Sequence, residues 1–173
     1  MTAREGTSPV TDPRDQTVER RSVGDHFLAP ATQDESAWLH WAEGLPASRA
    51  MNLTAVEIRP GKAVMKMDVS PWPLNPNGTV HGGLVAAAAD QAGGVVAISS
   101  LGAGALPATA TLHAEFLRPA HPGLTFACHT VKSGRSLVFA DVLVYDAAGQ
   151  LCSKFAGVWS VNAGVPQTTR TGV

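Results

Sequence analysis

The residues of this chain that could do chemistry crowd into one stretch, NPNGTVHGGLVAAAADQAGG, from Asn75 to Gly94. After Gly83 the only strongly polar side chains before Ser99 are Asp90 and Gln91. A helix over Gly82–Leu101 is therefore apolar nearly all round, the pattern of a buried helix. Asp90 would be an ionisable group within it, with Ala86, Ala87 and Gly94 one turn either way. No Lys or Arg lies on this helix to pair it. Burying a carboxylate unpaired is expensive, and an acid with room beside it is what a general base or nucleophile requires. The plainer alternatives are an aspartate bonded to a backbone amide or hydroxyl, or one facing solvent.

The start of the same helix is the second candidate. Gly82 and Gly83 carry no side chains, so a ligand can approach the first free amides closely. Those amides and the positive end of the helix dipole favour a developing oxyanion. Gly82 and Asp90 are eight residues apart, which puts about 12 Å between them along the axis at 1.5 Å per residue. They can hardly serve one carbonyl from a single chain. If both are catalytic, two helices must meet, and a twofold dimer with two interfacial sites is the simplest arrangement.

The elements that must position these residues are legible in outline. DESAWLHWAE, with an acidic start and Trp38, Trp41 and Leu45 at i, i+3, i+7, predicts a short helix that Gly44 and Pro46 weaken near its end. MNLTAVEI and KAVMKMDV, separated by Arg59-Pro60-Gly61, predict a hairpin. PWPLNPNG is a loop leading into the long helix. Four more strands follow: TATLHAEFL, LTFACHTVK, SLVFADVLVY and LCSKFAGVWSV. In the first, Ala110, Leu112, Ala114 and Phe116 alternate with Thr109, Thr111, His113 and Glu115. Hairpin-linked strands around one helix predict an α+β fold with an antiparallel sheet.

Composition narrows the class. The 173 residues are 45% hydrophobic and 16% charged, enough apolar material for one domain with a core. Thirteen Lys and Arg against fourteen Asp and Glu give a net charge of −1, so no basic field exists to hold nucleic acid or an anionic membrane. The alanine-rich helix with Asp90 near its centre is a poor membrane span. No apolar signal-like run lies between Met1 and Gly24, and Cys128 and Cys152 form no CxxC or metal spacing. The expectation is a soluble, cytoplasmic protein. Residues 1–24, with balanced charges among Thr, Ser and Pro, are expected to form a flexible arm, and 164–173 a flexible tail.

Asn75, the run Gly78-Thr79-Val80-His81-Gly82-Gly83, Asp90, FLRPA at 116–120 and GRSLVFADV at 134–142 stand in an ordered set. In these residues the sequence resembles the hot-dog-fold acyl-CoA thioesterases, in particular the PaaI-like (phenylacetate-pathway) branch, over about residues 35–162. The resemblance implies a curved antiparallel sheet wrapped around one long helix, with the domain over 25–163. It also implies dimers, usually tetramers, with acyl-CoA sites between protomers. Asp90 matches the catalytic acid, acting as general base or nucleophile, and Gly82 the residue whose N–H polarises the thioester carbonyl. Asn75, preferred over Asn77 for spacing, matches an amide that places the nucleophile or water. His81 matches an imidazole supporting the loop and carbonyl, and Thr109 a hydroxyl that assists across the interface. Arg118, Lys132 and the turn Gly134-Arg135-Ser136 are the expected contacts for coenzyme A phosphates.

A thioester has an electrophilic carbonyl and a good leaving thiolate, so a carboxylate and one or two preorganised donors suffice. No metal and no cofactor is expected, coenzyme A being part of the substrate. No G-x-S-x-G elbow, Walker loop or G-x-G-x-x-G run is present. His113, His121 and His129 fall on separate segments without metal-like spacing. Two alternatives stand beside hydrolysis: an enoyl-CoA hydratase or dehydratase of the same fold, and a non-catalytic acyl-CoA binder or sensor.

Overall fold

An apolar rod of twenty residues needs a surface to pack against, and the order of elements supplies one. The computed structural model describes residues 28–162, so the expected arm over 1–24 and tail over 164–173 lie outside the described residues. The elements are α1 (Glu35–Gly44), α2 (Pro46–Ala50), β1 (Thr54–Arg59), β2 (Lys62–Met67), α3 (Gly82–Leu101), β3 (Leu106–Phe116), β4 (Leu124–Ser133), β5 (Leu137–Tyr145) and β6 (Leu151–Asn162). The strands form one antiparallel sheet in the order β1-β2-β4-β5-β6-β3. This is the α+β, hot-dog arrangement the sequence predicts.

Residues of α3 such as Leu84, Val85, Ala88, Ala92 and Val96 are buried against inward-facing Met65, Phe126, Val142 and Phe155 of the sheet. By length and composition α3 alone would pass for a membrane span, but here it is the core helix. Its burial is not complete, however. Gly83 and Ala87 are exposed and Asp90, Gln91, Gly94 and Ile98 only half-buried, so one stripe stays uncovered.

Two local departures from the sequence pattern shape the site. The first helix stops at Gly44 because Leu45, preceding a proline, is held extended at φ −62°, ψ 134°. Pro46 then starts α2 at a position where its missing N–H costs nothing. In β3, strict alternation would turn Thr109 to the face opposite Leu112. Instead Thr109 pairs with Trp159 and Thr111 with Val158, so Ala110 is an extra residue, a β-bulge. A bulge re-aims the side chains on one side of it, and here it turns Thr109 toward α3.

Trp159 is the largest fully buried side chain, and two glycines make its place. A Cβ at Gly93 of α3 would sit 2.4 Å from ring atoms Cζ2 and Cη2, and one at Gly157 of β6 would sit 2.3 Å from Cη2. Held from both sides, the ring cannot slide away. Gly93→Ala therefore destabilises the fold by up to about 2 kcal/mol: overpacking of about 1–3 kcal/mol is set against a helix-propensity gain of about 1 kcal/mol. A lowered Tm checks this; a raised one contradicts it.

Candidate active site

The loop before α3 is organised by Asn75. Its Oδ1 accepts the backbone N–H of Asn77 (2.9 Å) and of Thr79 (3.2 Å), and its Nδ2 donates to Thr79 Oγ1 (2.8 Å). Gly78 turns the chain at φ +72°, and Val80 N–H donates to Ala120 O (2.8 Å), tying the loop to the segment after β3. Asn75, not Asn77, is thus the side chain that shapes the loop, its Oδ1 taken by two backbone amides and one Nδ2 hydrogen by the Thr79 hydroxyl.

The tied loop delivers His81 at the N-cap position, with φ −57°, ψ 131°. Its carbonyl accepts from Leu84 N (2.9 Å) and Val85 N (3.0 Å), while its imidazole is exposed and has no hydrogen-bond partner among the described residues. The N–H groups of Gly82 and Gly83 likewise have no acceptor among the described residues, as the first amides of a helix must. Phe116 lies over Gly82, its ring 3.3–3.8 Å from where a Cβ would be.

Two turns further on, Asp90 is half-buried, and Thr109 Oγ1 donates to its Oδ1 at 2.8 Å. The bulge in β3 makes this bond, and it lies within one chain. No cation pairs with Asp90 among the described residues. The carboxylate borders a cleft of about 190 Å³ whose other walls include Leu45, Gly94, Ile98, Pro107 and Trp159. A larger cleft of about 370 Å³, beside Trp38 and Ile58 at the far end of α3, offers Glu35, which Arg59 partners at 3.8 Å.

The structure brings Asp90 and Thr109 together and keeps Gly82 apart from them on the same helix. It also separates the cationic candidates. Arg118, whose Nη1 donates to Leu151 O (3.0 Å), follows β3 at the Phe116 end, beside Gly82. Lys132 and the turn Gly134-Arg135-Ser136 join β4 to β5 at the opposite end, where Ser133 pairs with Val138, Val138 with Trp159, and Trp159 with Thr109. Seven residues of strand, roughly 20 Å, lie between the two ends. Lys132, Arg135 and Ser136 are exposed.

His113 and His129 lie on exposed strand surface, 3.8 Å from Glu115 and 3.6 Å from Asp141. No group of three His, Cys, Asp or Glu that could hold a metal occurs among the described residues. Cys128 and Cys152 are free and buried, and burial pushes both thiols above their ordinary range, so neither is an activated nucleophile. Trp159 is the residue of this region that sequence reasoning missed. The sequence carries no signal for it, because the approach of Gly93 and Gly157 to its ring is a matter of tertiary packing.

Comparison with known proteins agrees with the fold. The Thioesterase superfamily profile matches residues 77–153. The chain is 30% identical over 105 residues to human acyl-coenzyme A thioesterase 13, a match covering 59% of this chain and 74% of that one. This chain belongs to the Thioesterase superfamily. It is also 36% identical over 85 residues to SSO1253 of Saccharolobus solfataricus, provisionally named an esterase. That match covers 49% of this chain and spans 56% of the relative's length. Among solved structures, smu.793 from Streptococcus mutans bound to acetyl CoA is 26% identical with a TM-score of 0.59, covering 64% of this chain and 89% of that one. The Escherichia coli PaaI protein from the phenylacetic acid degradation operon shares the fold, with a TM-score of 0.64 and 23% identity over 71% of this chain and 88% of that one.

Proposed function

We propose that this chain hydrolyses an acyl-CoA thioester to a free carboxylic acid and coenzyme A, in sites formed between two copies. One observation carries this reading: the single carboxylate of a core helix, without a cation, faces a cleft under a hydroxyl that orients it. The thioesterase named among its relatives and the acetyl CoA bound to a structural neighbour support the substrate class.

In this reading Asp90 of one copy attacks the thioester carbon or activates water beside it. Thr109 holds one carboxylate oxygen and leaves the other free to act. The Gly82 N–H of the second copy donates to the carbonyl oxygen, whose charge grows in the transition state. Asn75 shapes the loop and keeps one Nδ2 hydrogen to place the nucleophile or water, and His81 acts through the carbonyl that starts the helix.

The placement of the cations favours two copies. Pairing that sets Gly82 of one chain beside Asp90 of another carries Arg118 of the first toward Lys132 and Arg135 of the second, converging charges that one chain holds apart. They then serve the phosphates of coenzyme A. The protein is accordingly a homodimer or a tetramer built from dimers, and an active monomer by sedimentation would contradict the shared site.

The test is a panel of acyl-CoAs with kcat/KM for each and thiol release as the readout. Binding without turnover would make the chain a sensor, and water addition to an enoyl-CoA would make it a hydratase. Within the site, Thr109→Val keeps the shape and removes the hydroxyl. It lowers kcat about tenfold with KM little changed, since a hydrogen bond to a charged group is lost. A fall confined to KM would instead assign Thr109 to substrate binding.

A further inference from the structure

The Asp90 cleft has a feature that hydrolysis itself does not use. Trp159 is 1% exposed, yet its indole Nε1–H has no hydrogen-bond partner among the described residues. The fully buried side-chain polar atom without a partner among those residues is Ser153 Oγ, so Trp159 Nε1 still reaches the cleft that its ring lines. The orientation follows from the glycines. Gly93 and Gly157 grip the six-membered edge of the indole, and the pyrrole edge is left toward Gly94, where a Cβ would be 3.8 Å from Nε1. Gly94 follows Asp90 by four residues, which places it on the same helix face about 6 Å along the axis.

Of the cleft's other donors, Thr109 Oγ1 is engaged with Asp90, and one of the two Gln91 Nε2 hydrogens with Ser48 Oγ at 3.1 Å. Leu45, Val95, Ile98 and Pro107 give the rest of the lining its apolar part, and Asp90, Gln91 and Thr109 its polar part. A donor kept open in an apolar wall is poorly matched to a plain hydrocarbon, which leaves it unpaired, and well matched to an oxygen.

We propose that Trp159 is a specificity-determining residue: its indole N–H donates to an oxygen acceptor carried by the acyl group, about one helical turn from the scissile carbonyl, and Gly94 keeps that space open. The proposal rests on the reading of the Asp90 cleft as the thioester site. Oxygenated acyl thioesters are then preferred over hydrocarbon ones of the same length.

The experiment compares hexanoyl-CoA with its 3-, 5- and 6-hydroxy derivatives. The 5- or 6-hydroxy compound has kcat/KM about fivefold above hexanoyl-CoA, the worth of one neutral hydrogen bond. In Trp159→Phe that ratio falls to about one, whatever the change in activity on hexanoyl-CoA itself. Gly94→Val fills the cleft and lowers kcat/KM for all six-carbon substrates at least tenfold relative to acetyl-CoA. No preference in the wild type, or a preference unchanged in Trp159→Phe, would overturn the proposal. So would an equal fall on every substrate, which would assign the N–H to the thioester carbonyl. If the phenylalanine variant does not fold, the wild-type ratio decides. Calorimetric titration of the same compounds into Asp90→Asn reads the preference without turnover. A binding preference with no hydrolysis by the wild type would therefore reject the thioesterase reading alone, and hydrolysis with no preference would reject only this one.

Discussion

Asp90→Asn lowers kcat for acyl-CoA hydrolysis by about 10²–10⁴-fold, the range for loss of a positioned general base. The substitution is close to isosteric, and Thr109 Oγ1, now 2.8 Å from the carboxylate, can still donate to the amide oxygen of an asparagine. Asp90 is half-buried and has no cation partner among the described residues, so the change strands no buried opposite charge. The variant keeps its fold and assembly, read by circular dichroism and sedimentation, and its affinity for acyl-CoA, read by calorimetry. Near-normal kcat in a folded variant would remove Asp90 from the chemistry. A large loss of both folding and activity would make it a structural residue of α3.

What the sequence made legible was set by composition and period. A twenty-residue run mostly of Ala, Val and Gly with Asp90 near its middle reads as a core helix, and α3 spans Gly82–Leu101 as expected. The six strands also follow, because two-residue alternation and turns such as Asp146-Ala147-Ala148-Gly149 mark them. Features that depend on which face meets what were hidden. The bulge at Ala110 is one extra residue in a run whose alternation reads equally well without it, yet it decides whether Thr109 sees Asp90. The open stripe of α3 was hidden for a similar reason. Glycine and alanine line both the covered and the uncovered sides, so periodicity carries no contrast there. Arg118 and Arg135 were expected to contact the same phosphates, and the order β5-β6-β3 sends them to opposite ends of the sheet. Trp159 was invisible as a cleft wall, because only coordinates show that Gly93 and Gly157 clamp one edge of its ring.

Gly82→Pro isolates the second half of the proposed site. Proline at the first position of a helix lacks an N–H that the helix does not use, so α3 loses no internal bond. A residue before proline must be extended, and His81 at ψ 131° already is. The new side chain meets Phe116 at 3.3 Å, a residue 55% exposed whose ring stands edge-on to Phe155 and has to shift only slightly. The fold is retained, and the donor proposed to polarise the carbonyl is gone. The expected loss in kcat is about 10²–10³-fold, as for removal of one oxyanion donor. If Gly82 and Asp90 act from different chains, the two inactive variants complement. In a mixed dimer, the Gly82→Pro chain supplies Asp90 while the Asp90→Asn chain supplies Gly82, which makes one intact site of two. With subunits exchanged at random, half the dimers are mixed, and activity returns to about a quarter of wild type. A mixture as inactive as its parts, with mixed dimers demonstrated by mass spectrometry, would place both groups in one chain's site and remove the two-helix mechanism.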